Sequence, residues 1–394
     1  MAKSTTLTTT RARLCALGAY LRRRCFVAPC HEQVKMAQKV VQYRPPETRL
    51  EGLVGRLGGA KTIAQSHVTI TGDPAVQRAC GRQGCADPST IARTLHACTA
   101  DHVAQLARLG GGYLKRDGRT PRHPCHEALL WVDADVTPVP IGPKAEGRER
   151  AWMGRHRSKT GRQTLRVSAS DSREILHEPL RRGKAAAVPA LKAALVELET
   201  QLGGTRELRQ RIVIRLDGGF GSTAVLNGRL SRGYPVVATI SHRGRVRKVR
   251  PQVGPWQPTS SEGRELAAVV APLRVCRNTR PGGIRTPKEK GGSQHAVRVT
   301  TWLDLPPAEV ADTSDQRAML DATVGQDKQG LGLVKRRQHQ GEAPQMVWRL
   351  ARLAHHLRLW STRWLSRVPA TRWRLRRYGV VRLLQDVGTV PGVI

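Results

Sequence analysis

The segment RIVIRLDGGFGS, residues 211–222, constrains the fold of this chain most strongly. Its β-branched, mostly apolar run from Ile212 to Leu216 ends at Asp217, and a glycine turn follows. A strand that is apolar on both faces is typical of the inside of a parallel sheet, where helices cover both sides. The segment therefore predicts an α/β fold in which this strand lies inside the sheet and ends in an aspartate.

Neighbouring segments supply further strands and helices in an order that suits such a sheet. LLWVDADVTPVP begins at Leu129, QTLRVSAS spans residues 163–170, and both have the composition of strands. Apolar residues then recur at helical spacing from Val188 to Leu202 and stop at a glycine pair, which commonly ends a helix. After the inner strand come a short helix, about residues 222–230, and the apolar strand YPVVATI. The predicted order is strand, strand, helix, strand, helix, strand.

Aspartates on these strands form a candidate metal site. Asp133 and Asp135 alternate with apolar residues, so both carboxylates lie on one face of their strand. Together with Asp217 and with Asp321 from a later helix, they can meet at one point, and such a cluster repels itself unless cations bind. Carboxylate oxygens suit two Mg²⁺ or Mn²⁺ ions, which support in-line attack on a phosphodiester. The residues alone leave open whether Asp133 or Asp135 is the first ligand.

The later helix, SDQRAMLDATVGQDK at residues 314–328, carries a stripe of polar side chains. Ser314, Arg317, Asp321 and Lys328 fall within an arc about 60° wide at 100° per helical residue. A solvated face with ion pairs is one interpretation of this stripe. The other is a catalytic edge, which requires that Asp321 have carboxylate partners elsewhere in the chain.

The charge of the chain indicates the kind of partner. It has 67 basic and 30 acidic residues, a formal net charge of +37, and arginine, which dominates the basic set, is suited to bidentate contact with phosphate. Nucleic acid is the expected partner, well ahead of an anionic membrane surface. No stretch approaches 18 apolar residues, so no membrane partner is expected. The eight cysteines form no CxxC pair and suit reduced thiols better than a zinc site.

The chain divides into segments of different composition. YRPPE, residues 43–47, closes a basic stretch that we expect to be poorly ordered, because its first 31 residues contain no acid and are rich in arginine. Asp87 or Ser89 begins a short amphipathic helix. Its outward residues Ser89, Thr90 and Arg93 suit a recognition helix, although ordinary packing is an alternative. The predicted segments are a basic N-terminal arm (1–48), a helical DNA-binding region with a possible helix-turn-helix (49–125), a catalytic core (126–240 and 301–366), an inserted β-rich segment (241–300) and a basic C-terminal tail (367–394).

Three blocks of this sequence resemble the DDE transposases of bacterial insertion sequences. They are LLWVDADVTPVP, IRLDGGFGSTAVLNGRLSRGYPVV and SDQRAMLDATVGQDKQGLGL. The group that they resemble has a Tyr-x2-Arg-x3-Glu-x6-Lys signature and a β insertion before it. The resemblance implies an RNase H-like (retroviral-integrase-like) core that cleaves and joins DNA strands with two Mg²⁺ or Mn²⁺ ions. It further implies binding to double-stranded DNA, namely terminal inverted repeats and target DNA. It also implies a homodimer or higher assembly and a cytoplasmic, nucleoid-associated location.

The same resemblance assigns roles to single residues. It places the catalytic metal ligands at Asp135, because Asp-x-Thr recurs there, at Asp217 and at Asp321, and it places DNA contacts at Arg317 and Lys328. The sequence departs from the signature in having Ser314 for tyrosine and Asp321 for glutamate. Two alternatives therefore remain: a catalytically decayed transposase that acts only as a DNA-binding protein or repressor, and a basic protein that coats nucleic acid without chemistry.

Overall fold

The fold is taken from a computed structural model of the chain. The structure describes residues 6–39, 42–142, 145–150, 160–217, 220, 227, 232–240, 243–249, 253–258, 263–269, 279–287, 292–302, 318–333, 340–365 and 392–393. These residues form a mostly helical N-terminal third followed by a large mixed sheet with helices packed on it. The α/β class predicted from the sequence is confirmed.

Twelve helices are described here. They are α1 (Ala12–Arg23), α2 (Val27–Glu32), α3 (Pro45–Leu57), α4 (Ile63–Thr71), α5 (Pro74–Ala79), α6 (Pro88–His96), α7 (Ala100–Asp117), α8 (Ala187–Leu202), α9 (Arg206–Gln210), α10 (Arg243–Val249), α11 (Ala318–Gly330) and α12 (Ala343–Leu365). A 3₁₀ turn covers Thr120–Arg122. Among these helices none combines the length and the apolar character needed to cross a membrane.

The segment expected to be a poorly ordered arm contains α1 and α2. Leu14, Leu21 and Phe26 are buried in the main hydrophobic cluster, and Phe26 packs edge-on against Tyr113 of α7 with ring centroids 4.8 Å apart. The expectation of disorder rested on the missing acids and the many arginines. It overlooked the apolar residues at helical spacing, which supply enough buried surface to hold the segment in place.

The strands form two sheets within the described part of the chain. They are β1 (Thr8–Thr9), β2 (Leu130–Pro140), β3 (Glu149–Arg150), β4 (Thr160–Ala169), β5 (Ile175–His177), β6 (Leu180–Arg182), β7 (Ile212–Leu216), β8 (Val236–Ile240), β9 (Gln257–Pro258), β10 (Glu265–Ala268), β11 (Arg280–Pro287), β12 (Ser293–Thr300) and β13 (Gly392–Val393). The larger sheet has the order β3-β4-β2-β7-β8-β12-β11-β10-β9, and β5 and β6 both pair with β4. The first and last strands, β1 and β13, pair with each other.

The centre of the sheet follows the predicted strand order. β2 and β4 form an antiparallel pair, β7 joins β2 in parallel, and β8 joins β7 in parallel. Helix α8 lies between β6 and β7 in the chain, as its periodicity and the glycine pair predict; Gly203 takes the left-handed conformation at the helix end, with φ 80°. The inner strand β7 is buried along its whole length.

The two faces of β2 carry different side chains. Val132 and Ala134 are fully buried in the same hydrophobic cluster as Leu191 and Leu195 of α8. Because side chains alternate along a strand, the aspartates between these residues project from the opposite face. That face therefore carries the polar chemistry of the sheet centre.

The expected β-rich insertion extends the central sheet. Strand β12 pairs antiparallel with β8, and β11, β10 and β9 continue outward from it. Val297 and Val299 of β12 pack with Ile240 in a small separate cluster. Without the insertion, the outer edge of β8 would be an unpaired edge of the sheet.

Candidate active site

Asp133 lies in a buried ion pair. Its neighbour in the parallel register is Arg215 of β7, whose Nε and Nη2 donate to the two carboxylate oxygens at 2.6 and 2.9 Å. The Ser170 hydroxyl donates to Oδ2 at 2.7 Å. With the Asp133 residue 3% and Arg215 1% exposed, these contacts give the carboxylate a structural charge partner.

Asp135 lies two residues further along the same face. The residue is 8% exposed, and the hydroxyl of Thr137 donates to its Oδ2 at 2.9 Å. The Asp-x-Thr spacing therefore has a local physical role, because a side chain at the second following position of a strand shares the face of the aspartate and can orient its carboxylate.

Asp217 follows directly after β7. The last register pair of the two parallel strands joins Ala134 to Leu216, so the next position along each strand is Asp135 on one and Asp217 on the other. Neighbouring strands lie about 4.8 Å apart, and residues in register on parallel strands share a face. Asp217 is half-buried. The sheet register thus brings Asp135 and Asp217 to adjacent positions.

Lys328 of α11 lies beside this pair of positions. Its Nζ donates to the carbonyl oxygen of Pro138 on β2 at 2.9 Å. Burial lowers the pKa of Lys328, and the nearby carboxylate of Asp135 opposes that shift. The helix predicted to carry the third acid therefore packs against the strand that carries Asp135, with a cation next to that carboxylate.

A buried charge network fixes α11 to the sheet. Arg166 of β4, the register partner of Asp135, donates to Glu178 at 2.6 Å and to Asp327 of α11 at 2.7 Å. Asp327 also lies 2.9 Å from Nδ1 of His355 on α12. Arg166, Glu178 and Asp327 are all at most 2% exposed as side chains. Removing Arg166 would therefore leave two buried carboxylates without their shared cation.

The remaining members of the predicted site are described only in part. Ser314 and Arg317 lie outside the described residues, and Asp321 is described as part of helix α11 without its side chain. Among the described residues, no group of three or more His, Cys, Asp or Glu side chains could hold a metal ion. A three-carboxylate site that includes Asp321 therefore stays a prediction.

The predicted recognition helix is present as α6. Asp87 caps it by accepting a hydrogen bond from the backbone N–H of Ser89 at 2.7 Å. Ser89 and Arg93 are exposed and Thr90 is half-buried, and Arg93 donates to the Thr90 hydroxyl at 3.0 Å. The outward orientation expected from the sequence is observed, and DNA contact by these residues stays a prediction.

Two parts of the polar face were missed at the sequence level. A cleft of about 110 Å³ beside Asp133 is lined by Ser170, Asp171, Arg215 and Thr323, among others. The signal for the ion pair was Arg215 itself, since an arginine inside an otherwise apolar inner strand needs a carboxylate partner. The second part, the Arg166 network, joins residues 161 positions apart and has no local signal.

Comparison with known proteins adds little. No protein-family model matches the sequence, and no curated protein matches it. Among solved structures, the chain is similar to a piggyBac transposase in a synaptic complex with hairpin DNA, at 10% sequence identity and a TM-score of 0.42. The alignment covers 98% of this chain and 87% of that one. A likeness this weak carries no inference about activity.

Proposed function

We propose that this chain is a transposase with an RNase H-like core, which cleaves and joins DNA strands in a reaction that depends on divalent metal ions. The observation that supports the proposal is the register of β2 and β7, whose last pair joins Ala134 to Leu216, the residues just before Asp135 and Asp217. The topology supports it: an antiparallel hairpin, two parallel strands and an intervening helix are the arrangement that such a core requires.

The donor set of the candidate site fits hard divalent cations. Asp135 and Asp217 offer carboxylate oxygens, the ligands that Mg²⁺ and Mn²⁺ prefer. Asp321 is the proposed third ligand, because seven helical residues keep positions 321 and 328 on one face of α11, where Lys328 meets β2. We leave Asp133 out of the ligand set, because Arg215 and Ser170 occupy its oxygens. Bound ions would activate the attacking hydroxyl and stabilise the leaving oxygen.

The residues around the carboxylates have positioning roles in this proposal. Thr137 orients the Asp135 carboxylate through its hydrogen bond. Lys328 places a positive charge beside Asp135, which suits a DNA phosphate that must approach an acidic site. Asp327 and Arg166 hold α11 against the sheet, so that these groups keep their spacing when DNA binds; misplacement by about 1 Å costs on the order of 100-fold in rate.

The rest of the proposal concerns DNA. A net charge of +37 supports binding to the phosphate backbone, and Ser89, Thr90 and Arg93 of α6 supply side chains for base readout. Arg317 contacts the backbone near the active site, as the signature implies. Terminal inverted repeats, target DNA and a homodimer or higher assembly are the proposed partners.

Strand cleavage tests the proposal directly. Duplexes that carry the sequences flanking the coding region are incubated with Mg²⁺ or Mn²⁺, and the products are separated on denaturing gels. Asp135→Asn and Asp217→Asn should each abolish cleavage, whereas Asp171→Asn, at an exposed carboxylate in the nearby cleft, should retain it. Cleavage that persists in the chelator EDTA, or in both site variants, would contradict the proposal.

Binding without cleavage is the second candidate. It is favoured by the shorter side chain of Asp321 and by Ser314 at the positions where the signature has glutamate and tyrosine. In that case the wild-type chain binds the duplex and leaves it intact, and the double variant Asp321→Glu, Ser314→Tyr gains cleavage. Equal cleavage by the wild type and the double variant would exclude this candidate.

A further inference from the structure

A cavity of about 560 Å³ lies where helices α1, α7 and α12 end. Six arginines line it: Arg23, Arg24, Arg116, Arg119, Arg122 and Arg363. We call it the arginine cavity. Basic residues in the last turn stabilise the C-terminal end of a helix, which explains one or two arginines at the end of each helix. It does not account for the convergence of six on one space.

The arginine cavity carries positive charge in excess of its carboxylates. Asp117 pairs with Arg24 and Arg116, and Glu174 pairs with Arg363 at 2.6 Å. Among the described residues, no carboxylate lies within ion-pair distance of the guanidinium groups of Arg23, Arg119 or Arg122. The Arg122 guanidinium donates to the backbone carbonyl oxygens of Gly118 and Arg116. An arginine cluster of this kind is suited to a ligand with phosphate groups.

One wall of the arginine cavity is aromatic. Trp364 is 45% exposed, and it is the one aromatic side chain among the exposed large hydrophobic residues of the described chain. Its ring lies 5.3 Å from that of Tyr20 between centroids, at a tilt of 35°. An exposed indole held against a second ring offers a surface on which a nucleobase can stack.

The walls of the arginine cavity are held rigidly. Glu174 is fully buried and accepts hydrogen bonds from Trp360 Nε1 at 3.0 Å and Arg363 Nη1 at 2.6 Å. It also accepts from the hydroxyl and backbone N–H of Thr120 at 2.7 and 2.8 Å. One carboxylate therefore ties the turn after β4 to α12 and to the segment after α7, so that the cavity exists before a ligand arrives.

We propose that the arginine cavity binds single-stranded nucleic acid, with a base against Trp364 and backbone phosphates at Arg23, Arg119 and Arg122. The volume suits a small ligand such as one nucleotide unit, since ligand pockets usually span about 300–1,000 Å³. A single strand is chosen over a duplex because in a duplex the faces of the bases are covered by their neighbours. The site is separate from the proposed metal ligands and goes beyond the cleavage activity.

Fluorescence anisotropy with labelled dT12 in EDTA tests the proposal without any cleavage. Trp364→Ala should weaken binding about ten-fold, from the typical contribution of one stacked base, and Trp364→Phe should keep most of the affinity. Binding to a duplex of the same length should change little. Unchanged dT12 binding by Trp364→Ala, or an equal loss for duplex and single strand, would overturn the proposal.

Salt dependence tests the arginines separately. Arg23→Ala with Arg119→Ala should reduce the slope of log Kobs against log salt for dT12 by about 1.4, at about 0.7 for each phosphate contact. Arg78→Ala with Arg206→Ala is the matched control, because it also removes two positive charges, from exposed positions outside the cavity. A control that reduces the slope as much as the pair, or dTMP that binds as tightly as dT12, would count against a strand in the cavity. The binding assays are run in EDTA, where metal-dependent cleavage cannot occur. Their outcome is therefore independent of whether the proposed cleavage activity exists.

Discussion

Asp133→Asn tests whether the Asp133 carboxylate has a structural role, in contrast to Asp135, the proposed metal ligand on the same strand. The substitution keeps the shape of the side chain but removes its charge, so the buried Arg215, 1% exposed, loses the carboxylate that balances its charge. Breaking a buried pair in this way costs about 3–5 kcal/mol. Asparagine still offers one oxygen to Arg215 or Ser170, so we expect a loss of about 3 kcal/mol, at the lower end of that range.

Urea unfolding measures this loss through far-UV circular dichroism and tryptophan fluorescence. The indole of Trp131 is a suitable reporter, because the Arg215 guanidinium lies 5.3 Å from the centre of its ring. Asp171→Asn is the matched control and should change the unfolding free energy by less than about 0.5 kcal/mol, as is usual at exposed positions. Replacing both partners, Asp133→Leu with Arg215→Met, should restore most of the stability, because an apolar pair needs no charge compensation.

The opposite result would refute the reasoning about this pair. If Asp133→Asn unfolds at the same urea concentration as the wild type but no longer gains thermal stability from Mn²⁺, the carboxylate binds metal and the ion pair with Arg215 contributes little. Asp135→Asn should show that second behaviour, with a small change in stability and a loss of the Mn²⁺ effect.

Three further changes are informative. Two lie in α11, the helix that carries Lys328, and one lies beside Asp135, the first proposed metal ligand. Burial raises the pKa of Asp327, but His355 and Arg166 outweigh it and hold this pKa below the ordinary 3.8. The stability that the ionised Asp327 contributes is therefore complete above about pH 3.8 and is lost as the pH falls further. Asp327→Asn should be less stable by about 3–5 kcal/mol at neutral pH. Its unfolding free energy, measured in urea, should also fall less steeply with pH in the acid range. Gly325→Ala should stabilise the protein by about 1 kcal/mol, since an added Cβ meets no atom within 4 Å; a lower melting temperature would contradict this. Thr137→Val should raise the Mg²⁺ concentration for half-maximal cleavage several-fold while melting within a few degrees of wild type.

Periodicity in the sequence predicted the elements that position the candidate site. Alternation from Leu129 placed Asp133 and Asp135 on one face, and the apolar run before Asp217 predicted the inner strand; the sheet contains both strands in the expected order. These features were predictable because they depend on neighbours in the sequence. A strand buried on one face shows alternating apolar and polar residues, and a strand buried on both faces shows a continuous apolar run.

Which of the two aspartates, Asp133 or Asp135, forms an ion pair with Arg215 was not predictable from such patterns. It depends on Arg215, which lies 82 residues from Asp133 in the sequence and reaches it only because β2 and β7 pair in one register. A shift by one residue would turn Arg215 to the opposite face and leave Asp133 without a partner. The register is set by packing across the whole sheet, so one strand alone cannot indicate which acid is paired.

The many arginines were interpreted as a surface that binds nucleic acid. The structure shows that some of them lie in the interior, where they contact other groups of the protein. Arg166, Arg215 and Arg352 are each at most 8% exposed, and each contacts a carboxylate or a backbone carbonyl. Their charges are balanced within the fold and are unavailable to DNA. The charge that acts on a polyanion is therefore smaller than the formal +37 suggests.

The turn after β4 connects the cleft beside Asp133 with the arginine cavity. Ser170 and Asp171 line the cleft beside Asp133, while Glu174, four residues after Ser170, holds Trp360 and Arg363 at the arginine cavity. Four residues span at most about 14 Å, so the carboxylate that holds the cavity wall lies close to the cleft. Thr120 holds Glu174 and the Asp133 pair holds Ser170, so both ends of this short turn are anchored.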